Sequence, residues 1–309
     1  MAGPVAFQNQ FGDLYGSSML PVLEELFRME YERHPSRRSQ VFKTVSHDRE
    51  IYQSTELHDM DLFSQMAEGE EYSFKRIKQG ADKTLTIVKW GLGFSISEEM
   101  VDDGKFDLIA DMVRKTARSG GESQEISAMN IINNGYGSTT TADGQPLFDS
   151  AHTLPSGGTF RNRLSANADL DKSSLEQALI DFEQVFIGDS GIIYRLVPKI
   201  LLVSPNLKRY AKELVGSELQ PDSANNNLNS LRDDNLMVMS SPHLTDTDQW
   251  QLLTMPEDHG LRIVVRKAME TMAASEAVGW LTDSILYKSR YREVIGALHP
   301  YGVFGSPGA

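Results

Sequence analysis

Between Ser17 and Arg33 the apolar residues Leu20, Leu23, Leu26, Phe27 and Tyr31 recur at helical spacing and Pro35 closes the pattern, which predicts a short amphipathic helix. Ahead of it, Phe7, Phe11 and Tyr15 sit among Gly, Gln and Asn, the pattern of an extended arm whose rings need a surface, its own or a neighbour's. From Glu70 the pattern turns to strands. Tyr72-Ser-Phe-Lys-Arg-Ile alternates loosely, Gln79-Gly-Ala-Asp is turn-like, and Lys83 to Trp90 has strand propensity throughout, so a long β-hairpin is expected here. Its flanks carry Glu68, Glu70, Glu71, Lys75, Arg76, Lys78 and Lys83, and a hairpin this polar must lie against something else.

Ser95 or Ser97 is placed to cap a helical region that Asp103-Gly104 interrupts. From Phe106 to Asn134 the residues Phe106, Ile109, Met112, Val113, Ala117, Ile126, Met129 and Ile132 mark one face of a helix of about 40 Å, at ~1.5 Å per residue. Gly120-Gly121 in its middle predicts a bend or break. The turn-rich stretch from Gly135 to Gly144 is a soft boundary. Beyond it, Ser173-Ser-Leu-Glu176 reads as a capping box opening an amphipathic helix, which Gly188-Asp-Ser-Gly ends. Lys199 to Ser204 is a buried strand, Pro205 to Val215 a helix, Pro221 to Asn229 a polar loop, and Leu236-Met-Val-Met a further strand. Strands at Trp250 to Met255 and Leu261 to Arg266 complete a mixed α/β layer, and the tail from Ser284 to Phe304 again reads as strands.

Composition narrows the function. At 309 residues, 40% hydrophobic and 24% charged, the chain has room for one large domain or two ordinary ones. No apolar run approaches the roughly 18 residues of a membrane span, and the N-terminus lacks a secretory pattern, so residence in the cytoplasm of the producing cell is expected. The absence of cysteine excludes disulfides, thiolate metal sites and cysteine nucleophiles. A net charge of −13 argues against coating nucleic acid by phosphate neutralisation. The densest basic group, Arg33, His34, Arg37 and Arg38, reads as a solvated helix end.

Candidate chemistry is thin. Gly188-Asp189-Ser190-Gly191 has the form of a trypsin-like nucleophile motif, yet it follows an amphipathic helix and has no matching histidine motif upstream, so it reads as a helix-ending turn. Gly91-Leu-Gly-Phe and Gly135-Tyr-Gly-Ser do not continue into a dinucleotide or Walker pattern. None of His34, His47, His58, His152, His243, His259 and His299 forms an i, i+4 pair, although His47-Asp48 and His58-Asp59 pair an imidazole with a carboxylate. The acidic groups Asp102-Asp103, Asp233-Asp234 and Asp246 with Asp248 lack the ligand order of a calcium loop. No catalytic residue, metal or cofactor is assigned.

The run Lys199-Ile-Leu-Leu-Val-Ser-Pro-Asn-Leu-Lys-Arg-Tyr-Ala-Lys-Glu-Leu-Val-Gly-Ser-Glu, followed by Pro221-Asp-Ser-Ala-Asn-Asn-Asn-Leu-Asn, resembles the major head proteins of tailed bacteriophages. Asp143-Gly-Gln-Pro-Leu-Phe-Asp-Ser-Ala-His-Thr is similar to the segment after the long helix in relatives of the phage Mu head protein, where an Ala-His pair recurs. Trp90-Gly-Leu-Gly-Phe-Ser-Ile-Ser-Glu-Glu-Met-Val-Asp-Asp looks like the strand that returns from their extended loop. The matches fall in order from about residue 68 to 305.

This resemblance implies an α+β protein of the Hong Kong 97-type fold. The expected division is an N-terminal arm with a short helix (1–45), an extended β-hairpin loop (46–94), a peripheral domain (95–144 and 261–309) with a spine helix at 106–134, and an axial α/β domain (145–260). It further implies a non-enzymatic structural protein that self-assembles as hexamers and pentamers into an icosahedral or prolate head around double-stranded DNA, without sequence-specific binding and without a membrane. Its expected place is the virion capsid, after synthesis in the bacterial cytoplasm. Expected partners are other copies of itself, a separate scaffolding protein, since the arm begins directly after Met1, a portal protein and, in some relatives, a decoration protein. Subunit contacts are expected at Phe7, Phe11, Tyr15, Glu70, Lys75, Arg76, Lys78, Lys83, Asn225, Asn226 and Asn227. Some relatives cross-link a lysine to an asparagine; Lys75, Lys78 and Lys83 lie in the candidate loop, and no cross-link is assigned. An encapsulin, with the same fold around an enzyme cargo, is the nearest alternative. A hydrolase using Ser190 or the acidic clusters belongs to a different class.

Overall fold

The structure, a computed structural model, describes residues 19–33, 36–57, 59–72, 74, 77, 79–219, 228–273 and 284–309. In chain order the elements are α1 (Met19–Arg33), α2 (Arg38–Val41), β1 (Lys43–Ser46), β2 (Ile51–Leu57), β3 (Gln79–Thr86), β4 (Val88–Ser97), α3 (Glu98–Asp102) and α4 (Phe106–Asn133). There follow β5 (His152–Thr153), β6 (Thr159–Phe160), α5 (Lys172–Val185), β7 (Ile200–Val203), α6 (Lys208–Gly216), β8 (Met237–Ser240), β9 (Trp250–Leu253), β10 (Leu261–Ala273), β11 (Ser284–Ala297) and β12 (Val303–Ser306). One four-stranded sheet has the order β1-β10-β11-β4, and a second the order β12-β9-β7-β8. In each, one pair is parallel (β1 with β10, β7 with β8) and the others are antiparallel.

Helix α4 joins the two sheets. Its N-terminal half places Ile109, Val113 and Ala117 against Leu23 and Phe27 of α1, Ile96 and Tyr287. Its C-terminal half buries Ala128, Met129 and Ile132 against Ile200, Leu202 and Leu253 of the second sheet and Ile263 of the first. The other face of the second sheet, Leu201, Val203, Trp250 and Leu252, packs on Leu175 and Phe182 of α5, on Phe186 just after it, and on Ala211 and Leu214 of α6. With helices on both sides, strand β7 is buried at every residue, which is why Ile-Leu-Leu-Val shows no polar alternation. Each of these large side chains contributes roughly 1.5–3 kcal/mol on burial.

Four local expectations change. The hairpin is formed by β2 and β3, with Ile51 opposite Thr86 and Tyr52 opposite Leu85, and the described residues between Asp59 and Ile77 are in no strand. Tertiary burial decides this pairing: Leu85 and Ile87 must cover Val264 and Leu298 at the hairpin base, and Trp90 already belongs to β4, paired with Tyr291 of β11. Helix α4 runs unbroken through Gly120 and Gly121. A Cβ on Gly120 would stand 2.7 Å from the Met269 methyl, so the absent side chain lets β10 pack close, and that packing offsets a propensity cost of about 1 kcal/mol per glycine. The α5 cap is Asp171, in a reciprocal box with Ser174, because the helix begins two residues earlier than the Ser173 pattern implies. Finally, β12 returns to pair with β9, so the chain's last strand completes the sheet of the middle segment, while β1 and β4 complete the sheet made by β10 and β11.

Candidate subunit-contact surfaces

Among the described residues, five of the six most exposed large apolar side chains, Leu57, Leu62, Phe63, Tyr72 and Phe74, fall in one stretch of chain. Ile77 in the same stretch is exposed as well, and Phe63 stands at 107% and Phe74 at 96% relative exposure. Single exposed leucines are ordinary, but fully exposed phenylalanines gathered in a loop mark a surface meant to be covered. The loop leaves on a stiff stem. Asp82 of β3 accepts hydrogen bonds from Thr55 Oγ1 (2.6 Å) and Gln53 Nε2 (3.2 Å) of β2. The edge strand β4 adds half-exposed Val88, Trp90 and Leu92, which alternate on one face, with Trp90 stacked on Tyr291 at 6.3 Å between ring centroids.

Of the residues expected at contacts, Glu70 and Lys83 are described; Phe7, Phe11, Tyr15, Lys75, Arg76, Lys78, Asn225, Asn226 and Asn227 lie outside the described residues. Glu70 closes a turn over Gly69, whose φ of 84° requires glycine: the Ala67 amide donates to Glu70 Oε2 at 2.8 Å and the Glu70 amide to the Ala67 carbonyl at 3.1 Å. Its carboxylate is thereby held at the surface. Lys83 is engaged within its own chain, donating from Nζ to the Thr140 carbonyl at 2.7 Å and to Thr140 Oγ1 at 3.1 Å. Burial lowers its pKa, with Asp143 opposing. The polar loop after α6 starts from a clamped base: Leu219 bridges Leu228, and buried Asn229 donates from Nδ2 to the carbonyls of Leu214 (2.7 Å) and Ser217 (3.1 Å).

Polar groups with the look of chemistry prove to be structural ties. His152 is fully buried, with Nδ1 2.7 Å from Asp143 Oδ2 and Nε2 3.1 Å from Asn162 Oδ1. Asn162 in turn donates to the carbonyls of Leu147 and Pro300 and accepts from the Asp149 amide, locking the segment after α4 to the chain's end. Glu293 is buried with Oε1 2.8 Å from Arg38, while Gln124 of α4 donates to its Oε2 at 3.2 Å and accepts from the Tyr31 hydroxyl. Burial raises the Glu293 pKa and Arg38 opposes that. His259 and His299 are pushed down to about 3 and about 4, first by burial and then by the nearby Arg262 cation. Ser190 sits in a turn closed by the Gly188 amide on Ile192, and its buried Oγ has no hydrogen-bond partner among the described residues, so no base activates it. Among the described residues no group of three His, Cys, Asp or Glu could hold a metal ion, and no helix is long and apolar enough to cross a membrane.

Sequence reasoning located the protruding loop from its charges and missed its exposed rings. Leu62 and Phe63 follow no strand or helix period, and their exposure alone distinguishes them.

A family model described as phage capsid protein matches residues 80–305. Among solved structures, the capsid of the cyanophage P-SCSP1u is similar with a TM-score of 0.60 at 11% identity, over 89% of this chain and 88% of that one. A structure from Microbacterium phage Oxtober96 gives 0.57 at 11% identity, over 89% and 92%. A virus-like particle from Pyrococcus furiosus gives 0.54 at 10% identity, over 92% and 97%. No curated protein matches the sequence. The structural likeness, at such identities, shows the fold, which is the α+β arrangement of the Hong Kong 97 type.

Proposed function

Because the chain belongs to the phage capsid protein family, whose model spans residues 80–305, and is thus a structural, non-enzymatic component of the virion capsid, we propose that it is the major head subunit. In this reading it assembles as hexamers and pentamers into an icosahedral or prolate shell around double-stranded DNA, after synthesis in the host cytoplasm and with separate scaffolding and portal proteins. The observation that carries the proposal is the loop between β2 and β3, whose exposed Phe63 and Phe74 gain burial only against another molecule. Each such contact is weak alone, but a closed lattice makes several per subunit at once. Residues 1–45 then serve as the arm, β2, β3 and their loop as the extended hairpin, the sheet of β1, β10, β11 and β4 with α4 as the peripheral domain, and 145–260 with β12 as the axial domain.

The net charge of −13 suits a lining that lets a genome slide during filling. Negative-stain microscopy of the expressed protein, with and without its scaffold, tests the reading: closed shells are expected, and persistent monomers under every assembly condition would refute it. A second reading is a shell of the same fold around protein cargo, with which the likeness to a virus-like particle is equally compatible. Nuclease-protected duplex DNA in purified particles decides for the first, and a co-purifying protein without DNA for the second.

A further inference from the structure

The sheet face turned away from α4 carries a charge pattern that folding does not explain. In the register of β10, β11 and β4, Lys267 is opposite Arg292 and Arg292 is opposite Lys89, so three cations stand in one row across three strands. The next row holds Glu270, Arg290 and Gly91, and the one after it Met272, Lys288 and Gly93. Glu270 is the one carboxylate in these rows, and it is taken by Lys267 (2.9 Å) and Arg290 (2.6 Å). Lys89, Lys288 and Arg292 have no hydrogen bond or ion pair among the described residues, and the buried Nε of Arg292 is unpartnered. Like charges directly opposite each other across strands are destabilising, and here they accumulate in a chain of net charge −13. At Gly91 and Gly93 the same face bears no side chains, leaving exposed backbone beside the cations.

We propose that this basic face is the receptor for the acidic turn Glu68-Gly69-Glu70-Glu71 of a second copy. The inference rests on the assembly reading above and names the surface that the protruding loop meets. The turn offers three exposed carboxylates within four residues, held in a fixed bend at Gly69, and lies in the same loop as the exposed Phe63 and Phe74. Carboxylates set on the glycine shelf bring Lys89, Lys288 and Arg292 the counter-charge that their own chain leaves out.

Because the chain has no cysteine, a disulfide reports the contact cleanly. Particles of the double variant Glu70→Cys with Lys288→Cys, oxidised and run on a non-reducing gel, are expected to show a ladder of linked subunits, whereas either single variant shows none above dimer. As a second measurement, Lys89→Glu with Lys288→Glu is expected to reduce shell yield at least tenfold without changing the thermal midpoint of the free subunit. Adding Glu68→Lys with Glu71→Lys is expected to restore it. No ladder together with full assembly of the uncompensated charge reversal would overturn the proposal while leaving the capsid reading intact. Failure of the unaltered protein to form shells would strike at the reading beneath it. Full assembly of the charge-reversed protein with loss of retained duplex DNA would assign the face to the genome and equally overturn the proposal.

Discussion

Buried titratable groups make single residues consequential in this subunit. His259 and His299 are held below the ordinary histidine value of 6.5, at about 3 and about 4. Between those values and 6.5 the unfolded chain binds protons that the folded chain refuses, so their contribution to stability is complete above about pH 6.5 and is lost as pH falls. At about pH 5 the loss is at most about 2 kcal/mol per histidine, and the urea midpoint of the free subunit should drop between about pH 7.5 and pH 5. A level or rising midpoint would contradict the assignment of neutral buried imidazoles. Packing supplies a second case. A Cβ on Gly260 would stand 2.3 Å from the His299 carbonyl oxygen and 2.7 Å from its amide nitrogen, both backbone atoms that cannot rotate aside. Gly260→Ala is expected to cost at least about 1–3 kcal/mol, read as a lowered thermal midpoint. Arg38→Ala removes the cation from buried Glu293 and is expected to cost about 3–5 kcal/mol, with partial recovery in the double variant Arg38→Ala, Glu293→Gln.

Elements divide into those that build the subunit and those that leave it. Helix α4 is of the first kind, since both of its halves enter cores. Truncating Ile132, fully buried against the second sheet, to alanine should destabilise the subunit by about 2–5 kcal/mol in chemical unfolding. The loop between β2 and β3 is of the second kind. Replacing residues 61–77 by a short Gly-Ser turn should leave the thermal midpoint of the free subunit within a few degrees and abolish shells in negative stain. A large loss of subunit stability would instead mean that the loop serves its own core. The helices were legible in the sequence because each buries one stripe at a 3.6-residue period. The hairpin was legible only as a polar excursion with strand propensity, because strands with exposed faces leave little periodic signal and their partners are chosen by the surface beneath.

At the scale of the whole molecule, one long helix ties together two sheets whose strands come from distant parts of the chain. The sheet of β1, β10, β11 and β4 joins residues 43–46 to 261–297, and the second sheet is closed by the last strand, 303–306. The faces of the β1, β10, β11 and β4 sheet differ in kind: one carries Trp90 stacked on Tyr291 beside the helix, the other a row of cations. Assembly through that cationic face should be salt-sensitive, so shell yield is expected to fall as ionic strength rises from about 0.05 to 0.5 M, where the Debye length shrinks from about 14 to 4 Å.

The chain's own pattern was enough for the amphipathic helices, the buried strand at 200–203, the lack of redox or metal chemistry based on cysteine, and the ordered likeness to phage head proteins, because periodicity, composition and local motifs are properties of neighbouring residues. Tertiary structure decided the rest. It set the β2–β3 pairing, the unbroken passage of α4 through Gly120 and Gly121, the engagement of Lys83 by Thr140, and the gathering of Lys89, Lys267 and Arg292 into one row. Each of these depends on residues far apart in sequence being brought to a common surface, and no local pattern encodes which distant strand will lie alongside.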